Sequence, residues 1–148
     1  TRCRARGVID RQVRLAGGSK LVAGTDGVPL YVAACLEADP QRRAVLERAG
    51  VHFIGTETYA GEVALPELLE DLAALGMASV LVEGGARIAK AFLAEGLVDR
   101  IVLFGGPDAI GETGIASPID ADHIPPGFRK LREMRFGEDN YLEWVRDI

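Results

Sequence analysis

Cysteine and histidine are scarce in this chain: Cys3, Cys35, His52 and His123 are all there is in 148 residues. None of them forms a Cys-x-x-Cys pair or a zinc-ligand spacing, so no metal site is expected. A disulfide framework is not expected either, and two reduced thiols suit a cytoplasmic protein. No serine or cysteine partners a histidine in a recognisable nucleophile motif, which argues against a catalytic triad. His52 alternates with apolar neighbours and reads as a strand residue with a satisfied ring, while His123, before Ile124-Pro125-Pro126, reads as exposed loop. No apolar run approaches the ~20 residues that span a bilayer. Thr1-Arg2-Cys3-Arg4 carries no signal-peptide core and no initiating Met, and is expected to be a cut or partly ordered end. Positive charge is also short. Seventeen Lys and Arg face 22 Asp and Glu, a net charge of −5, which argues against a general nucleic-acid binder. The densest basic group is Arg2, Arg4 and Arg6.

What is present is apolar material in a regular order. Hydrophobic residues make up 48% of the chain, enough for a real core in one domain of ordinary size. Three segments share one plan of helix, glycine and strand. Pro40 to Gly50 reads as a helix with Asp39 as N-cap, followed by the strand Val51-His52-Phe53-Ile54. Leu65 to Leu75 has leucines at helical spacing, ends at Gly76, and leads to the strand Ser79-Val80-Leu81-Val82. Ala86 to Glu95 ends at Gly96, and Arg100 to Phe104 follows as a strand. Each glycine suits the left-handed position that closes a helix. Short apolar strands alternating with helices predict an α/β fold with a largely parallel sheet covered on both faces. Gly7 to Asp10 and Pro29 to Ala34 supply two earlier strands.

The C-terminal region departs from that plan. Arg129 to Phe136 and Tyr141 to Val145 alternate with period two around Gly137 to Asn140, which predicts an antiparallel hairpin. Glu138-Asp139 is turn chemistry. Before the hairpin lies a polar loop, Pro107 to Gly127. Loops of that length are uncommon unless functional or mobile.

The richest stretch is Val80-Leu81-Val82-Glu83-Gly84-Gly85-Ala86-Arg87. It predicts a buried strand that turns abruptly into a helix. Glycines permit a tight turn and a close ligand approach. The first turn of the helix then offers N–H groups and the positive dipole end to an anion. Glu83 is either a ligand-binding carboxylate at the carboxyl end of a sheet strand or a solvated turn residue favouring the helix N-terminus. The glycine pair tilts the balance toward function. Gly84-Gly85 is not the GxGxxG pattern, so its phosphate signal is moderate. Arg87 reads more simply as an exposed helix residue than as a phosphate clamp. Arg11, after the first strand, suits a 2′-phosphate or other anion, or else a surface ion pair worth little.

Taken together, these stretches resemble the reductase domain of the bacterial riboflavin-biosynthesis bifunctional deaminase–reductase. The likeness rests on Val8 to Leu15 with Ser19-Lys20-Leu21, on Ser79 to Ala86, on Ala91 to Asp99, and on Pro107 with Gly111. It covers nearly the whole chain in order. The resemblance implies a dihydrofolate-reductase-like fold, a single reductase-like domain over residues 1–148, and assembly as a homodimer. It implies NADPH-dependent reduction of 5-amino-6-(5-phosphoribosylamino)uracil to the ribitylamino compound. By position, Glu83 would contact substrate, and Gly85, Ala86, Arg87, Ile88 and Arg11 would meet the cofactor. No catalytic residue is assigned. The family's domain begins before Thr1, with a strand and loop that supply many ligand contacts, and a zinc deaminase domain precedes it. The chain is therefore expected to be the C-terminal part of a larger active unit. The alternative is a non-catalytic α/β module that binds nucleotide or dimerises.

Overall fold

A computed structural model describes residues 4–148; Arg2 of the N-terminal basic group, and Cys3, lie outside the described residues. The chain forms two compact units, one ending at Ser79 and one running Val80–Ile148.

The first unit is built on three parallel strands, β1 (Arg6–Ile9), β2 (Leu30–Cys35) and β3 (His52–Thr56), in the order β1-β2-β3. The middle strand is the most apolar, as it must be with a neighbour on each side. Leu30 and Val32 are fully buried and join Val13, Val22, Ala34, Leu46 and Val51 in the core. Burying one such side chain contributes roughly 1.5–3 kcal/mol before the entropy of ordering it. The one-turn helix α1 (Lys20–Ala23) starts at Ser19, whose hydroxyl accepts the Val22 N–H at 3.4 Å. Helix α2 (Pro40–Arg48) has Asp39 as its N-cap, with Oδ1 2.8 Å from the Gln41 amide, and Pro40 in its first turn. After β3 comes a hairpin absent from the sequence reading, β4 (Thr58–Tyr59) with β5 (Glu62–Val63). Its two turn residues, Ala60 and Gly61, both have positive φ, the tight turn that matches the twist of paired strands. Helix α3 (Leu65–Ala74) closes the unit, burying Leu65 and Leu68.

The second unit contains helix α4 (Ala86–Ala94) and an antiparallel sheet of β6 (Arg100–Gly105), β7 (Phe128–Phe136) and β8 (Asp139–Arg146), in the order β6-β8-β7. Gly50, Gly76 and Gly96 follow their helices with φ of 89°, 85° and 68°, as their spacing predicts. Residues 107–127 form the expected long loop without helix or strand.

Two expectations are corrected. Ser79 to Val82 is not a strand: no strand among the described residues pairs with it, and Val80, Leu81 and Val82 are exposed. An apolar trio without a ladder partner leaves its backbone N–H and C=O groups to water rather than to a sheet. The second correction is that β6 does not extend a parallel sheet. It pairs antiparallel with β8, Ile101 opposite Trp144 and both buried. The second strand of the C-terminal hairpin offers an antiparallel ladder that needs no helical crossover.

Candidate functional site

The candidate residues fall on two surfaces, one in each unit. In the first unit they lie where the parallel strands end. Asp10 follows β1 and is buried, but its chemistry is structural. Its carboxylate accepts the Leu15 amide at 2.7 Å and its carbonyl accepts the Val13 amide at 3.1 Å. That turn holds Val13 at φ 55° with its side chain in the core. Positive φ at a β-branched residue is strained, so the buried carboxylate offsets a real cost.

Arg11 comes next, and its carbonyl accepts the Cys35 amide at 3.0 Å, tying the ends of β1 and β2 together. Its side chain lines an open pocket of about 270 Å³ with Gln12, Cys35, Glu37, Ala38 and Thr58. The guanidinium lies against the β4–β5 turn, where a Cβ on Gly61 would stand 3.4 Å from Nη1. The pocket is thus made from residues at or just past the ends of β1, β2 and β3. Ligands of open α/β sheets bind at such carboxyl ends. The sequence reading found Arg11 but missed the five other lining residues. Their signal was positional: Cys35 is the last residue of a parallel strand and the other four lie two or three residues beyond one.

In the second unit, Glu83 is exposed, with no hydrogen bond or ion pair among the described residues. It stands on an irregular segment rather than at the end of a core strand. Gly84 and Gly85 follow, and their roles differ. A Cβ on Gly84 would run into the Ile88 side chain, so Gly84 is needed for packing of the turn on the helix. A Cβ on Gly85 would meet nothing within 4 Å. Gly85 is the N-cap of α4, at φ −66° and ψ 167°, and offers no side chain to cap it. Its carbonyl accepts from the Ile88 and Ala89 amides at 3.2 and 3.3 Å. The amides that precede those two belong to the uncapped first turn, where the helix dipole is positive. Ala86 and Ile88 are half-buried and Arg87 is exposed. The segment from Glu83 to Arg87 is therefore an exposed, glycine-lined helix start. Arg11 belongs to the other unit.

The remaining candidates have local roles. His52 stacks on Tyr31 of the neighbouring strand, with ring centroids 5.1 Å apart. His123 Nδ1 lies 2.8 Å from Asp120 Oδ1, in an exposed turn of the long loop. That bond raises the His123 pKa above its ordinary 6.5 and lowers that of Asp120 below 3.8. Sequence reading also missed Glu143. It is buried in β8, accepting from Arg100 Nη1 at 2.7 Å and from the Tyr141 hydroxyl at 3.0 Å, with Arg132 Nε at 3.8 Å. Burial and the hydrogen bond to Glu143 push the Tyr141 pKa up. Among the described residues, no three or more His, Cys, Asp or Glu gather as metal ligands, and no helix is long and apolar enough to cross a membrane.

Fold and sites define an α/β domain with two polar corners, one cationic and one at an uncapped helix start. The chain belongs to the RibD C-terminal domain family, whose model matches residues 3–142. It is 28% identical over 139 residues to the riboflavin biosynthesis protein RibD of Bacillus amyloliquefaciens, covering 89% of this chain and 36% of that protein. A shorter match to RibD of Chlamydia muridarum reaches 47% identity over 53 residues, 36% of this chain and 14% of the relative. Among solved structures, RibD of Acinetobacter baumannii superposes with a TM-score of 0.73 at 24% identity, over 95% of this chain and 37% of its own. A pyrimidine reductase-like protein of Corynebacterium diphtheriae also gives 0.73, at 19% identity, over 96% of this chain and 60% of that one. The chain thus spans just over a third of the RibD proteins and shares their C-terminal fold.

Proposed function

We propose that this chain carries out, or forms part of the unit that carries out, NADPH-dependent reduction of 5-amino-6-(5-phosphoribosylamino)uracil to its ribitylamino product, as a cytoplasmic homodimer. The observation that carries the proposal is the glycine-lined start of α4 in a member of the RibD C-terminal family. A similar structure from Thermotoga maritima, with a TM-score of 0.69 and 20% identity, is described as a deaminase and 5-amino-6-(5-phosphoribosylamino)uracil reductase. An attached deaminase domain in the full-length protein belongs to the same reading.

The residues fit the cofactor's chemistry. Open space at Gly85 and the amides of the first turn of α4 suit a pyrophosphate, with Ala86, Arg87 and Ile88 beside it. Arg11, in the pocket at the parallel strand ends, suits a 2′-phosphate, which a guanidinium grips through paired N–H groups. The chemistry that NADPH would supply when held there is a hydride for C1 of the opened ribose. The protein holds and orients the two molecules, and Glu83 accepts hydrogen bonds from the polar substrate.

Fluorescence titration with NADPH tests the reading, followed by assay with the pyrimidine substrate. Saturable binding and turnover are expected. Gly85→Asp should abolish binding while the protein stays folded, because Asp is a favourable N-cap that sets a negative charge against the phosphates. Unchanged affinity in the folded variant rejects the phosphate role. Glu83→Gln should lower turnover more than NADPH affinity, and equal activity dismisses Glu83. Binding without turnover supports instead a module that holds nucleotide or dimerises.

A further inference from the structure

The open pocket at the ends of the parallel strands brings two opposite charges together. Arg11 follows β1 and Glu37 follows β2, and both line the same cavity of about 270 Å³. They do not neutralise each other. Among the described residues, neither side chain makes a hydrogen bond or an ion pair. Gln12, Cys35, Ala38 and Thr58 complete the lining and add neither a second cation nor a second carboxylate.

Backbone bonds fix where both residues stand. The Arg11 carbonyl accepts the Cys35 amide at 3.0 Å, and the Cys35 carbonyl accepts the Ala38 amide at 3.1 Å. Glu37 is thus the third residue of a tight turn, two positions from the bond that ties β1 to β2. Helix α2 does not need the Glu37 carboxylate as a cap. Asp39 fills that place, with Oδ1 accepting the Gln41 amide at 2.8 Å and the Arg42 amide at 3.4 Å. A guanidinium attracts a phosphate through paired N–H groups. A carboxylate only accepts, so it takes hydrogen bonds from neighbouring hydroxyls and repels a phosphate held beside it. At the ends of sheet strands an acid can serve the free ribose of one nicotinamide nucleotide, and an arginine the 2′-phosphate of the other.

We propose that Glu37 sets the choice between NADPH and NADH in this pocket. Its carboxylate accepts hydrogen bonds from the free ribose hydroxyls of NADH and opposes the 2′-phosphate that Arg11 attracts. One cation and one anion in the same opening let the pocket take both nucleotides with a narrow preference. Glu37 is a specificity residue and has no part in the hydride step. Its role rests on the reductase reading, because it requires a nicotinamide nucleotide in this pocket.

Isothermal titration of the intact protein with NADPH and with NADH tests it, with circular dichroism to confirm folding. The wild type should bind the two within about tenfold of each other. Glu37→Gln keeps the shape and removes the charge. It should tighten NADPH and weaken NADH, moving the affinity ratio about tenfold or more toward NADPH. Glu37→Asp, which keeps the carboxylate, should hold the ratio nearer the wild-type value. The fragments 2′,5′-ADP and 5′-ADP, which lack the nicotinamide, should show the same switch and so assign it to the ribose end. An unchanged ratio in Glu37→Gln, or an equal gain for both nucleotides, overturns the role of Glu37 and leaves the reductase reading standing. A wild type that binds NADPH and rejects NADH does the same. A wild type that binds neither nucleotide overturns both.

Discussion

At the scale of single residues, neighbouring groups of the same type do different work. Gly84 and Gly85 look interchangeable in the sequence. Yet a Cβ at the first would overlap the Ile88 side chain, while a Cβ at the second would meet open space. Ile88 is β-branched and stiff in a helix, so it cannot rotate away cheaply. Gly84→Ala should therefore destabilise the protein by about 1–3 kcal/mol in urea unfolding, the range for overpacked sites. Gly85→Ala should cost less, about 0.5–1 kcal/mol, because alanine is a poorer N-cap than glycine but its Cβ meets open space. Equal effects would remove the distinction. The Asp120–His123 pair is a second residue-scale case. Hydrogen bonding to Asp120 raises the His123 pKa, so the pair's contribution is fully present below His123's unfolded value near 6.5 and is lost as pH rises through the folded value. Asp120, with a lowered pKa, contributes above its unfolded value near 3.8 and loses that contribution as pH falls through the folded one. The turn is thus most ordered between about pH 4 and 6.5. NMR titration should find the His123 midpoint above the ordinary value, and Asp120→Asn should bring it down.

At the scale of elements, what the sequence showed depended on whether an element's signal was local. Helices α2, α3 and α4 and their closing glycines were legible because periodicity and caps lie within each segment. The C-terminal hairpin was legible for the same reason. Pairing partners were not. The apolar run at Val80 to Val82 has strand composition but no ladder, and composition cannot report a missing neighbour. Likewise β6 reads as a parallel strand until β8 is seen beside it. Glu143 was missed because a carboxylate in a period-two pattern looks solvent-facing, and only the register shows Arg100 and Arg132 converging on it. This ion pair holds β6 to β8 at the carboxylate's burial depth. Arg100→Ala should leave Glu143 with the Tyr141 hydroxyl and a distant guanidinium. Removing one partner of a buried pair costs roughly 3–5 kcal/mol, but Arg100 is largely exposed and screened, so about 2 kcal/mol is expected. Chemical denaturation measures the loss. An unchanged midpoint would mean that Arg132 has taken over the carboxylate.

At the scale of the whole molecule, the candidate cofactor surfaces lie in separate compact units, Arg11 in the first and Gly85 in the second. Sequence could place each residue at the end of an element but could not place one surface against the other, because that arrangement is carried by no local pattern. Linkage offers a global readout that needs no such placement. A ligand bound only by the folded state adds about 2.7 kcal/mol at a hundredfold its dissociation constant. For a chain near 150 residues that corresponds to a rise in Tm of roughly 5–10 °C. NADPH should produce such a rise in differential scanning fluorimetry. Arg11→Ala should shrink the NADPH shift and leave the NADH shift unchanged, because only the former ligand carries the 2′-phosphate that a guanidinium recognises. A parallel loss of both shifts would assign Arg11 to general support of the strand ends rather than to the choice between the two nucleotides. An undiminished NADPH shift would take Arg11 out of the cofactor surface altogether, and the pocket beside Cys35 and Thr58 with it.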